Sequence, residues 1–222
     1  MNKTLQKIQQ SRPDLSDYLY HFTKGSKASE TLWKIIGDEK ILDPLNRGVI
    51  CFTEAPIYQM LDMFKIFEGY KEPMYAPFGI AIPKWKLYSL GARPVIYGPQ
   101  SELSLFPDDL KWRYEPIEKK HDFSWLREWR INTSEVSFQL DDIFIVTKII
   151  HDGLGITHSP DVIIDGDWAD GQWWDQSFVA WDREIKSISL DTIVESAISD
   201  STKLLFEIEK QSKEIMDGKS NH

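Results

Sequence analysis

The sequence predicts a mixed α+β protein organised around one main domain. Short apolar or aromatic runs bounded by Gly, Pro or Asn recur along the chain, which is the signature of strands. Helical periodicities lie between some of these runs but do not alternate with them strictly. That pattern fits an α+β arrangement better than a doubly wound sheet. At 222 residues, 41% hydrophobic and 27% charged, the chain has enough apolar surface for one domain with a substantial core.

In chain order, residues 1–14 read as a flexible lead-in, 15–200 as a single α+β domain, and 201–222 as a C-terminal helix and tail. Tyr18–Thr23 is aromatic and β-prone and is the first expected strand. Ser29–Ile36 reads as a helix stopped by Gly37, and Val49–Thr53 as a short buried strand after the turn Asn46-Arg47-Gly48. Pro56 opens a second helix, with Ile57, Met60, Leu61, Phe64 and Phe67 on one face. Phe78–Ile82 and Pro94–Tyr97 are further strands, separated by a helical turn over Lys84–Leu90. Residues 98–122 are rich in charge and proline and read as a loop or irregular insert. A strand-rich half follows: Trp125–Ile131, Ile143–Ile150, Val162–Ile164, Phe178–Trp181 and Ile185–Leu190. Thr202–Met216, with Leu204, Leu205, Ile208 and Ile215 among charges, is the expected final helix.

A net charge of -9 gives no global attraction to a phosphate backbone, so a nucleic-acid acceptor would need a local basic patch. Lys111, Arg113, Lys119 and Lys120 surround Trp112 and Tyr114, but Glu115 and Glu118 dilute that cluster, which reads as a solvated face. The single cysteine, Cys51, demands no oxidising compartment. The start is polar and no apolar run approaches a membrane span, so the cytoplasm is the expected location, without a membrane partner.

Asp165–Gly171 superficially resembles a calcium loop, but its ligand spacing is wrong and Gln176 occupies the twelfth position, so it reads as an acidic turn. No metal is expected. Gly153-Leu154-Gly155 lacks the third glycine of a dinucleotide fingerprint, and Walker, HExxH, paired-cysteine and nucleophile-elbow motifs are absent.

His21 and Thr23 share strand parity, with Tyr20 and Phe22 on the other side. That pair suits either a ribose hydroxyl or a hydrogen-bonded core. Glu128 lies in Trp-Leu-Arg-Glu-Trp-Arg-Ile, between aromatic neighbours and flanking arginines. There a carboxylate either stabilises an oxocarbenium-like centre or forms an ion pair on a sheet. Arg47 has the planar fork that grips pyrophosphate, unless it is a solvated turn residue. Trp173, Trp174 and Trp181 suit packing or an interface.

Five stretches, in order, resemble the AbiGi family of abortive phage-infection proteins: Tyr20–Thr23, Gly48–Pro56, Phe78–Trp85, Pro94–Tyr97 and Arg127–Ile131. More distantly, the same order resembles DarT-type ADP-ribosyltransferases. The resemblance implies an ADP-ribosyltransferase-like fold and NAD as substrate. It makes Glu128 catalytic, places His21 and Thr23 on the NAD ribose and nicotinamide, and puts Arg47 on the pyrophosphate side. It also implies a role in phage defence or a toxin system. The AbiGi resemblance carries the alternative of a non-catalytic antitoxin that binds a cognate toxin. If NAD is the substrate, His21 and Glu128 are expected to face one pocket.

Overall fold

The computed structural model describes residues 3–12, 14–148, 157–158, 162–169, 172–179 and 183–199. Its strands are β1 (Tyr18–Phe22), β2 (Lys40–Leu42), β3 (Ile50–Thr53), β4 (Gly79–Pro83), β5 (Arg93–Pro94), β6 (Ile96–Gly98), β7 (Tyr114–Pro116) and β8 (Glu128–Ile131). They continue with β9 (Glu135–Ser137), β10 (Phe144–Thr147), β11 (Thr157–His158), β12 (Val162–Ala169), β13 (Gln172–Val179), β14 (Arg183–Glu184) and β15 (Ser187–Ser189). The helices are α1 (Lys3–Gln10), α2 (Ala28–Gly37), α3 (Leu61–Glu68), α4 (Lys84–Ser89) and α5 (Leu190–Ser199). The fold is therefore mixed α and β, as expected.

A seven-stranded sheet in the order β15-β10-β4-β1-β3-β8-β5 forms the centre. It is mixed: β10 and β15 run parallel, and the other neighbours run antiparallel. The central strand β1 is apolar nearly throughout because both of its faces are covered. One face carries Leu19, Ile50, Phe52, Ile80, Ile82, Trp129 and Ile131, which pack against Leu32 and Ile36 of α2 and Leu87 of α4. The other face carries Tyr20, Phe22, Ala81, Phe144 and Val146, covered by Ile57, Met60 and Phe64 and by Ile193 of α5. Gly79 is required where β4 meets β1, since a Cβ there would lie 2.6 Å from the His21 carbonyl oxygen.

Several elements differ from expectation. The lead-in contains α1, whose Leu5 and Ile8 remain exposed, so its helicity owes little to packing. The expected strand Trp125–Ile131 begins only at Glu128. Ser124–Leu126 is a single 3-10 turn and Arg127 has φ 49°, a left-handed conformation that interrupts extension. Residues 98–122, by contrast, form the irregular insert expected there, with two 3-10 segments and β7. Asp165–Ala169 is not a turn: it belongs to β12, which pairs with β13 from Val162↔Val179 to Ala169↔Gln172. The segment expected as a strand from Ile185 to Leu190 yields β15 and then turns into α5. The expected helix Thr202–Met216 lies outside the described residues, as do Gly153–Gly155 and Trp181.

Candidate functional site

Register decides where the candidate residues point, because directly opposed residues in an antiparallel pair share a face. Tyr20 opposes Thr53, Thr53 opposes Glu128, and Cys51 opposes Arg130. Glu128 and Arg130 therefore lie on the Tyr20 face. His21 is one residue out of phase with Tyr20 and opposes Ile80. Its ring sits 5.8 Å from that of Phe52, on the other face. The expectation that His21 and Glu128 share one cleft is thus not met. The physical reason is the two-residue side-chain period: one step along β1 exchanges the faces.

His21 and Thr23 both act inward. The His21 Nδ1–H donates to the Cys51 carbonyl at 2.9 Å, tying β1 to β3 where their pairing consists of Tyr20↔Thr53 alone. Burial depresses the His21 pKa; the Cys51 carbonyl opposes this and Lys24 adds to it. The buried Thr23 hydroxyl donates to the Phe78 carbonyl at 2.8 Å and stitches β1 to the segment entering β4. Arg47 is exposed, in a turn held by Asp43, whose carboxylate accepts from Leu45 and Gly48. Its charge reaches the Cys51 thiol.

Glu128 sits in a half-buried polar cluster. The Arg130 guanidinium grips both of its oxygens, at 3.0 and 3.1 Å, and also reaches Glu115. Arg130 further donates to the main-chain carbonyls of Trp112 and Tyr114, both at 3.2 Å. The Glu128 amide donates to the Tyr97 hydroxyl at 3.0 Å. Desolvation, followed by the nearby Glu128 charge, pushes the Cys51 thiol up to about 12. Desolvation and then Glu128 also raise Tyr75, with Glu115 adding to the effect. Tyr97 rises to about 12, chiefly by burial. Within the cluster two carboxylates are set against the Arg130 guanidinium, and the charge of Arg47 also reaches Cys51. The flanking arginines differ in role: Arg130 belongs to the cluster, whereas Arg127 pairs with Asp14.

Sequence reasoning missed the most buried ionic constellation among the described residues, Glu54, Lys84 and Trp129. Glu54 accepts from the Lys84 ammonium at 2.8 Å with one oxygen and from the Trp129 indole at 2.9 Å with the other. Lys84 also donates to the Ser16 carbonyl at 2.7 Å. Each ionic group is buried and satisfied, so the trio pins β3, α4 and β8 together. A signal was present: these residues fall in three of the motif stretches, Thr-Glu-Ala-Pro, Pro-Lys-Trp and Glu-Trp-Arg, each a charge beside apolar residues.

A cavity of about 610 Å³ lies on the Glu128 side of the sheet, lined by Phe64, Phe67, Tyr75, Phe78, Leu190 and Val194 among others. Lys65, Lys71 and Lys148 stand in its wall with Glu68 and Asp191. Tyr75 belongs to this wall and also feels the Glu128 cluster. No family model, curated protein or solved structure matches the chain. Among the described residues no group of three or more His, Cys, Asp or Glu is placed to hold a metal ion, and no helix is long and apolar enough to cross a membrane.

Proposed function

We propose that this chain is the non-catalytic, partner-binding component of a two-gene abortive-infection system, of the kind its AbiGi-like motifs suggest. One observation carries the reading: His21, expected on the NAD ribose, and Glu128, expected to cleave NAD, lie on opposite faces of the sheet. The candidate residues on each face are also committed to internal partners. His21 and Thr23 hold main-chain carbonyls, and both Glu128 oxygens accept from Arg130. The cavity beside α3 and exposed Tyr70 and Trp125 offer apolar surface of the type protein interfaces use. The net charge of -9 favours a basic partner.

Co-expression with the protein encoded beside it tests this reading. A stable complex on size-exclusion chromatography, with suppression of that protein's toxicity, is the expected result. Separate elution together with undiminished toxicity refutes it.

A second reading keeps an NAD-dependent ADP-ribosyltransferase-like fold and activity, with Glu128 catalytic. It is favoured by the perturbed Cys51, Tyr75 and Tyr97 groups around that carboxylate. NAD would then bind without His21 beside Glu128. Release of nicotinamide separates the two readings.

A further inference from the structure

The cavity beside α3 combines an apolar lining with a charged wall. Phe64, Phe67, Tyr75 and Phe78 line it, together with Leu190 and Val194 of α5. Its volume of about 610 Å³ falls within the roughly 300–1,000 Å³ of small-molecule sites. Its wall is tied in place: the Gly25 amide donates to the Pro73 carbonyl at 2.9 Å, and the Ala76 amide to the Thr23 carbonyl at 3.0 Å. The charged groups around it differ in how they are satisfied. Glu68 pairs with Lys148. Glu72 accepts from the Ser26 amide at 3.1 Å and from the Ser26 hydroxyl at 3.0 Å. Asp191 accepts from the Thr192 amide at 2.8 Å. Lys65 faces Asp62 at 3.9 Å, but the two side chains are 68% and 94% exposed, so that pair contributes little. Lys71 lines the cavity, is exposed, and forms no hydrogen bond or ion pair among the described residues. The Lys24 ammonium, 5.2 Å from the Tyr75 ring centroid, adds positive charge beside the same wall.

We propose that this cavity binds a small apolar monocarboxylate, with its hydrocarbon body against the aromatic lining and its carboxylate on the Lys71 ammonium. The body must be apolar because the lining offers a polar one few partners, and an unpaired polar group is costly to bury. The head must be anionic because the unsatisfied group is an ammonium, whereas Glu68, Glu72 and Asp191 already have donors. It carries one charge rather than two, because Glu68 and Asp191 share the wall with Lys71 and repel a phosphate monoester or pyrophosphate. The proposal stands apart from the partner-binding reading: co-expression tests that reading, and a small-molecule titration tests this one.

The test is a nuclear magnetic resonance titration of the full chain, at neutral pH and fixed ionic strength, with octanoate and with octanamide. The two probes share a chain and differ in the charge of the head. Octanoate is expected to bind about tenfold more tightly, the lower end of what a hydrogen bond to a charged group adds. The shifts are expected to centre on the amides of Gly25, Phe67 and Tyr75. Lys71→Gln is expected to lower octanoate affinity about tenfold and leave octanamide unchanged. Lys34→Gln makes the same charge change on α2 away from the cavity and is expected to change neither. Val194→Trp, with its fold verified by circular dichroism, fills the cavity and is expected to abolish binding of both probes. Ser29→Trp fills it from α2 and serves where Val194→Trp does not fold. Equal affinity for the two probes, or no binding of either, overturns the proposal. So does an equal response of Lys71→Gln and Lys34→Gln, which would mark a general charge effect. Undiminished binding in a folded, filled variant would place the probe elsewhere, and tighter binding of octyl phosphate than of octanoate would exclude a monoanion site.

Discussion

Replacing Glu54 by Ala removes the centre of the most buried ion pair among the described residues. Lys84 then keeps only the Ser16 carbonyl, and the Trp129 indole N–H loses its acceptor. The side chains of Lys84 and Glu54 are only 8% and 11% exposed, so water repairs little of the loss. Breaking one partner out of a buried pair costs about 3–5 kcal/mol, most of it from the stranded charge. For a chain of this size each kcal/mol lowers the melting temperature by about 2–4 °C, so a fall of roughly 6–20 °C is expected. Urea unfolding supplies the free energy and calorimetry the melting temperature. The double variant Glu54→Leu/Lys84→Met is the control. It removes both charges and is expected to recover part of the loss, leaving the unpaired Trp129 donor and the Ser16 carbonyl without its Lys84 donor, at about 1–3 kcal/mol each. A Glu54→Ala variant that loses less than about 1 kcal/mol, the scale of an exposed ion pair, would show that the trio is not a structural pin.

Arg130→Met strands two carboxylates at once and is expected to cost roughly 3–5 kcal/mol in urea unfolding. Arg130→Lys is expected to recover only part of this, since an ammonium cannot span both Glu128 oxygens and Glu115. His21 is held with a lowered pKa, so below its ordinary value of 6.5 the unfolded chain binds more protons than the folded one. Stability is therefore expected to fall as pH drops through and below about 6.5, and His21→Gln is expected to flatten that part of a melting-temperature profile. The Cys51 thiol, raised to about 12, is almost wholly protonated near neutrality. Its alkylation by iodoacetamide at pH 8 is expected to be at least about a hundredfold slower in the native chain than in urea. A native rate matching the unfolded one would remove Cys51 from a dry cluster.

Much of the fold was legible because its core strands are short apolar runs with clear boundaries. Ile50–Thr53 and Gly79–Pro83 were visible for that reason, and Pro56 and Gly37 correctly bounded helical segments. The start of β8 was not legible, because Arg127 adopts a left-handed backbone and its side chain pairs with Asp14, more than a hundred residues away in sequence. The small β2–β9 ribbon was missed because Lys40–Leu42 is too short to declare a period on its own and depends on Glu135–Ser137 for its bonds. At the site, the flanking arginines made the ion pair of Glu128 with Arg130 on the sheet legible. The relation of Glu128 to His21 was different in kind. It depends on the register of β1 against β3 and of β3 against β8, set by long-range pairing that a single sequence does not display. Glu54 and Lys84 were similarly hidden: each looks like an ordinary surface charge until the sheet buries it against Trp129.

The most direct measurement is nicotinamide release from NAD by the purified chain, followed chromatographically beside Glu128→Gln. With His21 and Glu128 on opposite faces of the sheet, no release above the uncatalysed background and no difference between the two proteins are expected. Release that depends on Glu128, falling about a hundredfold or more in the Gln variant while the variant stays folded, would match the worth of one preorganised electrostatic contact. That result would contradict the partner-binding account.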